Sequence, residues 1–393
     1  MLFIKDLEVK NKKVFLRVDF NVPLDENKNI QDDTRIRAVL PTIQYLAEQG
    51  AMIVAASHLG RPKGKFVPEL SLKPVAEKLA ALLPQEVILA PGVTGERVTH
   101  LKRSLTPDRL LLLENLRFDP GEKENDSCFA QHLAEEIDCY VNDAFGVCHR
   151  AHASVVAITQ YVPKAAAGFL LKKEIDYLNK AFRSPEKPYV AILGGAKVSE
   201  KIPVIENLLN KADTILIGGA MAYTFLKAKG EPVGGSKVED DKIETARHIL
   251  DTAEKAGVRL ELPLDHVAAR EISQEAETKI LKHFDPDSDW KGLDIGPETQ
   301  KLYAEASASA KTIFWNGPMG VFEVDQFAQG TIAVGKAVAS SNALSIVGGG
   351  DSVSAVFKAG VQDGISHIST GGGASLEYLA NETLPGIEAL SES

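Results

Sequence analysis

The sequence predicts an α/β protein built of two parallel-sheet domains joined by one helix. Three observations predict it. Short apolar runs of strand length alternate with longer segments of helical periodicity, the pattern of a parallel sheet covered by helices. The alternation breaks once, near residue 170, where a helical stripe takes over, and then restarts. The chain has 393 residues, room for two to three domains at ~150 residues each.

In the first half Val14–Phe20 reads as a strand, followed by a helix over Thr34–Gln49 and a strand over Ala51–Ser57. A helix over Ser71–Leu83 precedes a short strand at Val87–Leu89, and Leu110–Leu113 is a fully apolar strand. A helix over Ser127–Ile137 leads to the strand Tyr140–Asp143. Leu171, Ile175, Leu178 and Phe182 then fall four, three and four apart, one apolar face of a helix over Leu170–Phe182. Ser184-Pro185 and Lys187-Pro188 stop it, because the residue before a proline is pushed out of helical geometry. The expected division is a first domain over 1–169, a connecting helix over 170–185, a second domain over 186–379 and a tail over 380–393.

In the second half strands are expected at Tyr189–Leu193, Thr214–Ile217, Arg259–Leu262, Thr312–Trp315, Ser345–Val347 and His367–Ser369. Helices are expected at Ser199–Asn210, Ala220–Lys229, Val238–Lys255, Pro297–Ser309, Gln326–Ala339 and Asp351–Ala359, with a last one running from the Gly371–Gly373 triplet to Leu379. Leu384-Pro-Gly-Ile387 reads as an extended tail too apolar to float, so it should dock.

The net charge of −10 argues against general nucleic-acid affinity. No apolar run approaches the ~20 residues of a membrane span, and Asp6 and Glu8 interrupt any leader-like start, so a cytoplasmic location is expected. Cys128, Cys139 and Cys148 are odd in number and form no CxxC, which disfavours a disulfide framework. Cys128 and His132, with Cys148, His149 and His152, do not make a zinc-type ligand set; ordinary thiols and loop histidines are expected.

Charge is unevenly placed. Nine of the 13 arginines precede residue 151. Arg61, Arg117 and Arg150 each follow the carboxyl end of an expected strand, and Arg35 opens a helix after the turn holding Asp19 and Asn21. Ligands of open parallel sheets bind at that edge, and guanidinium forks suit phosphate and carboxylate. The four loop arginines therefore point to a small, multiply charged anion. Arg97, Arg103 and Arg109 read as solvated surface.

The second half carries glycine turns at strand ends instead: Leu193-Gly-Gly-Ala-Lys197, Ile217-Gly-Gly-Ala220, Gly317-Pro-Met-Gly320, Gly348-Gly-Gly-Asp351 and Thr370-Gly-Gly-Gly-Ala374. Strand, bare turn and helix start make an anion site from backbone N–H groups. Asp351 beside such a site is repulsive to phosphate unless a divalent cation lies between them. Lys197 and Lys201 lie on one face of a helix start. Together these features point to a nucleotide polyphosphate with Mg²⁺.

These motifs resemble the phosphoglycerate kinase family over essentially the whole chain. They stand here as Arg17-Val-Asp-Phe-Asn-Val-Pro23, Ser57-His-Leu-Gly-Arg-Pro62, Leu113-Glu-Asn-Leu-Arg-Phe118, Val141-Asn-Asp-Ala-Phe-Gly146, His149-Arg-Ala-His152, Leu193-Gly-Gly-Ala-Lys-Val198, Trp315-Asn-Gly-Pro318, Gly348-Gly-Gly-Asp351 and Ser369-Thr-Gly-Gly-Gly-Ala374. The resemblance implies two Rossmann-like domains, a hinge helix and a tail returning to the first domain. It implies that 3-phosphoglycerate binds through Asp19, Phe20, Asn21, Arg35, the loop His58, Leu59, Gly60 and Arg61, and Arg117 and Arg150. It implies ATP or ADP contacts from Lys201, Gly219, Gly292, Asn316, Glu323, Gly349, Gly350, Asp351 and Ser352, with Glu323 on the ribose and Asp351 near Mg²⁺. Ser352 stands where the family commonly has threonine; the hydroxyl is kept.

The expected reaction is reversible phosphoryl transfer from MgATP to the carboxylate of 3-phosphoglycerate, giving 1,3-bisphosphoglycerate and MgADP. A carboxylate with a pKa of about 3–4 is already ionised, so no general base is required. Arg35, Lys197, Mg²⁺ and the amides of Gly371, Gly372 and Gly373 are the expected charge-stabilising groups. Domain closure would keep water from the acyl phosphate. A kinase for another phosphorylated acid is the competing enzyme reading, and a non-catalytic nucleotide-binding protein the competing reading of another class. A monomer is expected.

Overall fold

The computed structural model describes residues 1–391; positions 392–393 of the expected tail lie outside the described residues. The chain divides into two compact units, Met1–Ile175 with the chain from Thr383 onward, and Asp176–Glu382.

The first unit contains β1 (Leu2–Phe3), β2 (Lys13–Arg17), α1 (Thr34–Glu48), β3 (Met52–Ala56), α2 (Lys73–Leu82), β4 (Glu86–Leu89), α3 (Glu96–Arg103) and β5 (Arg109–Leu112). It continues with α4 (Ser127–Ala134), β6 (Cys139–Asn142), β7 (Ala165–Ala167) and the start of α5 (Phe169–Phe182). Its seven strands are all parallel, in the order β1-β7-β6-β2-β3-β5-β4. The order reverses at β2: β3 lies on one side and β6 on the other. α1 places Ile36, Val39, Ile43 and Leu46 on one stripe, and these pack with Val14, Leu16, Ile53 and Val141 of the strands.

Several segments depart from the sequence reading. The first strand ends at Arg17 rather than Phe20, because Val18 to Phe20 run out past the sheet, Phe20 N–H donating 2.8 Å to Ser57 Oγ. α2 starts at Lys73, since Ser71 Oγ and Leu72 N–H are taken by the Glu114 carboxylate at 2.7 and 2.8 Å. α4 stops at Ala134, and Glu136 turns left-handed at φ 63°. β1, β7 and α3 are additions to it; the Ala-Ala-Ala run of β7 has no β-branched signature, and its burial between β1 and β6 makes it a strand. The tail is not extended: Pro385–Ser391 is a helix, α13 at the end of the chain, with proline pre-set for its first position. Gly386 N–H donates 2.9 Å to Cys148 O, and a Cβ there would meet Cys148 and Val155.

The second unit takes the rest of α5, the division falling within that helix, followed by β8 (Tyr189–Leu193), α6 (Ile202–Leu208), β9 (Thr214–Ile217), α7 (Met221–Ala228), α8 (Ile243–Ala256) and β10 (Arg259–Glu261). Then come β11 (His266–Ala269), β12 (Lys279–Leu281), β13 (Lys291–Ile295), α9 (Pro297–Ser309), β14 (Thr312–Asn316) and α10 (Gln329–Ala339). β15 (Leu344–Val347), α11 (Gly350–Ala359), β16 (His367–Ile368) and α12 (Gly373–Asn381) close it. Six strands form a parallel sheet in the order β10-β9-β8-β14-β15-β16, which reverses between β8 and β14. Ile192, Leu216, Ile313, Trp315 and Val347 pack there with Tyr303, Val334 and Val356 of the helices.

One feature of this unit departs from a purely parallel design: β12-β11-β13 is a separate antiparallel sheet. Its strands are three to five residues long and carry Lys279, Lys291 and Asp294, so no apolar run marks them. The expected helices at Val238 and Gln326 begin later, at Ile243 and Gln329, after 3₁₀ turns. Among the described residues no helix is long and apolar enough to cross a membrane.

Candidate functional site

In the first unit the expected anion-binding residues collect at the carboxyl edge of the sheet. Asp19, Phe20 and Asn21 follow β2, His58 to Arg61 follow β3, Arg117 lies in the 3₁₀ turn after β5, and His149, Arg150 and His152 follow β6. The flanking strands β3 and β6 are where the strand order reverses, the position at which open sheets bind ligands. Arg35, in the first turn of α1, donates 2.7 Å to Asp19 Oδ2. Asn21 Oδ1 accepts from Gly60 N–H at 2.9 Å, and Arg117 Nη1 donates 2.8 Å to Gly60 O. Gly60 is thus held through both its N–H and its carbonyl. Phe20 and Leu59 bury their side chains in the core and shape the loops rather than offering a polar group. Arg61 is exposed and makes no hydrogen bond or ion pair among the described residues.

The electrostatics put these groups within reach of one another. Burial holds His58 well below the usual histidine range, reinforced by Arg17, Arg117 and Arg35. Burial and then Arg150 bring His149 down to about 4; burial followed by Arg17, Arg117 and Arg150 brings His152 down to about 3. Arg117 itself is lowered to about 10 by burial and by Arg150 and Arg17. At neutral pH the histidines are uncharged donors among guanidiniums. Such a set attracts a ligand with several negative charges.

Sequence reasoning missed the layer beneath. Arg17 is fully buried and donates 2.8 Å from Nε to Ser154 Oγ and from Nη1 to Val18 O, with Nη2 3.4 Å from His58 Nδ1. Glu122, also fully buried, lies 3.9 Å from Arg17 Nη2. An arginine between Leu16 and Val18 in a strand covered on both faces was the available signal.

In the second unit the glycine turns meet across the strand reversal between β8 and β14. A Cβ on Gly194 would strike Pro318 O, and one on Gly317, at φ 96°, would strike the backbone of Gly194. Only two bare backbones fit so closely. Lys201 Nζ donates to Asn316 Oδ1, and Asn316 Nδ2 donates 2.6 Å to Gly348 O. Ser352 Oγ accepts from Gly317 N–H at 2.6 Å. Burial lowers Lys201 to about 8, with Glu200 and Asp351 opposing.

Two cavities adjoin at Asp351. One of about 460 Å³ is lined by Gly195, Gly219, Gly292, Val321, Glu323 and Asp351 among others. The other, about 240 Å³, is lined by Lys197, Lys201, Asn316, Gly349–Ser352, Gly372 and Gly373. An apolar, glycine-walled room beside a smaller room with lysines and a helix start suits a nucleoside with a polyphosphate. Lys197 is half exposed and lies 3.4 Å from Glu200. Gly371 is buried, and its N–H donates to Ser369 Oγ at 3.1 Å, so Gly372 and Gly373 are the triplet members that reach the cavity. A larger hollow of about 1050 Å³ beside α3 and α4 holds none of the expected site residues.

Among the described residues no group of three His, Cys, Asp or Glu side chains has metal-binding geometry, Cys128 and His132 included. Asp351 is exposed in the first turn of α11 and offers one carboxylate at the smaller cavity. That donor set fits Mg²⁺, which keeps waters and takes one or two carboxylates plus substrate phosphates rather than an all-protein cage.

The comparisons with known proteins agree on one family. The family model described as "Phosphoglycerate kinase" matches residues 4–382. A phosphoglycerate kinase of Koribacter versatilis is 55% identical, covering 99% of each chain. One of Geobacter metallireducens is 54% identical over 100% of this chain and 98% of its own. Among solved structures, phosphoglycerate kinase from Coxiella burnetii superposes with a TM-score of 0.90 at 42% identity, covering 100% of this chain and 99% of that one. The Pyrococcus horikoshii enzyme gives 0.86 at 36% identity, with 100% and 98% coverage.

Proposed function

The chain belongs to the phosphoglycerate kinase family, and from that premise we propose how its residues divide the reaction. The reaction is reversible phosphoryl transfer between ATP and the carboxylate of 3-phosphoglycerate, giving 1,3-bisphosphoglycerate and ADP, a step of glycolysis and gluconeogenesis. The Arg35, Arg117 and Arg150 group with Asp19, Asn21 and His58–Arg61 takes the acid. Lys201, Gly219, Gly292, Asn316, Glu323 and Gly349–Ser352 take the nucleotide.

The observation that carries this division is geometric: Arg35, held 2.7 Å from Asp19, and Arg117, held 2.8 Å from the Gly60 carbonyl, stand at the sheet edge that also carries His58. The acid brings the compensating negative charge. Its carboxylate is ionised at neutral pH, and the neutral histidines have no proton to remove; they donate and orient. Within the first unit Arg35 takes charge on the acid; within the second, Lys197 and the N–H groups of Gly372 and Gly373 at the start of α12 take charge on the terminal phosphate of the nucleotide. Arg35 is held in place by Asp19 before substrate arrives. Asp351 would hold Mg²⁺, which would supply positive charge to the polyphosphate. The remaining catalytic work is placement, the factor on which phosphoryl transfer chiefly depends.

The reading includes a cytoplasmic monomer with small-molecule partners. Formation of ATP from ADP and 1,3-bisphosphoglycerate tests the activity, and the reverse assay with 3-phosphoglycerate against other phosphorylated acids tests the substrate. Equal rates with several acids would remove the assignment of the arginine group to 3-phosphoglycerate.

A further inference from the structure

We propose that Glu122 is a positioning residue for the acid site. It reaches no ligand; it acts through Ser154 and Arg17 on His58. Its carboxylate is fully buried, yet both oxygens are used. Oε1 accepts from Ser154 Oγ at 2.7 Å and Oε2 from Ser154 N–H at 3.0 Å. Oε1 also lies 3.9 Å from Arg17 Nη2 and 3.7 Å from His152 Nδ1.

The direction of each proton follows from this geometry. The carboxylate has no proton to give, so the Ser154 hydroxyl must donate to it. The lone pairs of that hydroxyl are then left for Arg17 Nε, which donates at 2.8 Å. Fixed there, Arg17 donates from Nη1 to Val18 O and presents Nη2 to His58 Nδ1 at 3.4 Å. A guanidinium can only donate, so Nδ1 of His58 is the acceptor and its ring proton sits on Nε2. The relay therefore sets two things at once: the course of the Val18–Phe20 turn that carries Asp19, and the tautomer of His58. Glu122 supplies the buried negative charge that Arg17 faces at 3.9 Å.

The sequence distance explains why the relay is hidden. Arg17 and Ser154 are 137 residues apart, and Glu122 and Ser154 are 32 apart. The 3₁₀ turn Pro120–Glu122 brings the carboxylate in, and Tyr140 OH donates 2.9 Å to Ser154 O, holding the serine from the other side.

The inference rests on reading the arginine group as the acid site, which Arg117→Ala tests separately through its own KM for 3-phosphoglycerate. Glu122→Gln keeps the shape but puts an amide donor against Ser154 N–H or Ser154 Oγ. Its expected effect is a rise of about tenfold in KM for 3-phosphoglycerate, the worth of one charge-assisted hydrogen bond, with KM for MgATP unchanged. Nitrogen NMR of His58 should show Nδ1 as the unprotonated nitrogen in the wild type and a mixed tautomer in the variant. Ser154→Ala, which leaves the buried charge pair in place, should move both readouts the same way by a smaller amount. Should Glu122→Gln not fold, Ser154→Ala decides. A folded variant of either kind with wild-type KM for the acid and an unchanged His58 tautomer overturns the proposal, as does protonated Nδ1 in the wild type. A lowered melting temperature alone, with both readouts unmoved, would mark the relay as merely structural and overturn it as well.

Discussion

Arg35 Nη1 lies 2.7 Å from Asp19 Oδ2, so the arginine assigned to charge on the acid is already tethered to a loop with the same assignment. Arg35 is about one third exposed and Asp19 nearly buried, which leaves the guanidinium free to add a partner without leaving the first. Arg35→Ala is expected to cut kcat on the order of 10³-fold, as loss of other charge-stabilising groups does, with a far smaller effect on KM for nucleotide. Arg35→Lys should not restore it, because an ammonium cannot hold Asp19 and a phosphoryl oxygen in one plane. Steady-state kinetics on both variants check this; near-normal turnover in the alanine variant would take Arg35 out of the role.

Lys201 is the more buried lysine of the smaller cavity in the second unit. Burial lowers it to about 8, and a polyphosphate placed beside it would favour the charged form. Nucleotide binding should then draw in a proton above pH 8, so that affinity for ADP falls with rising pH, by up to roughly tenfold per unit. Lys201→Met should bind more weakly at pH 7 and lose this slope. Calorimetry between pH 7 and 9.5 reads both, and equal slopes in the two proteins would exclude Lys201 from the phosphate contact.

Stability should fall between acid and neutral pH because of a buried carboxyl in the second unit. Asp294 on β13 accepts from Gly330 N–H at 2.7 Å and Ile295 N–H at 2.9 Å, yet burial still pushes it up to about 8. Its folded value lies above the unfolded one, so the native state keeps a proton the unfolded chain releases. The contribution is therefore complete below about pH 4 and lost as pH rises through 8. Asp143, raised by burial to about 6, adds the same sign over a narrower range. Thermal melts of Asp294→Asn should show a shallower decline from pH 5 to 8 than the wild type; an equal decline would refute the assignment.

The meeting of Gly194 with Gly317 gives a test confined to the second unit. Gly317→Ala places a methyl against the Gly194 backbone at a left-handed φ, where the backbone alone costs roughly 1–2 kcal/mol. The expected result is loss of ADP binding with retained binding of 3-phosphoglycerate, read by separate titrations. Equal weakening of both ligands would mean that the change spreads beyond the nucleotide turn.

How much of this was legible in the sequence depended on the range of the interactions. The bounds of β8, β9 and α9 follow from local signals: runs of apolar and β-branched residues, and a proline at the first helical position. The edge loops with Asp19, His58 and Arg117 were legible because a parallel sheet delivers its loops to one edge. β7 and the antiparallel sheet β12-β11-β13 were not, since tertiary pairing rather than composition makes them strands. α13 reads as extended in sequence because Leu384-Pro-Gly-Ile387 carries turn residues, while its helix is supported by packing on Cys148 and Val155. The Arg17–Ser154–Glu122 relay required the fold.

The metal reading turns on a single carboxylate. Asp351 stands exposed at the smaller cavity, with Lys201 close enough to feel its charge. A carboxylate there repels free ADP and, joined by Mg²⁺, favours MgADP; the same group must therefore act with opposite signs in the two conditions. Asp351→Asn removes both effects. It should weaken MgADP binding by about tenfold, the size expected for removing one charged ligand of the ion, while binding in excess chelator stays equal to or tighter than that of the wild type. Titrations of ADP with and without Mg²⁺ on the two proteins supply the four constants. If Mg²⁺ strengthens binding by the same factor in both, Asp351 does not hold the ion.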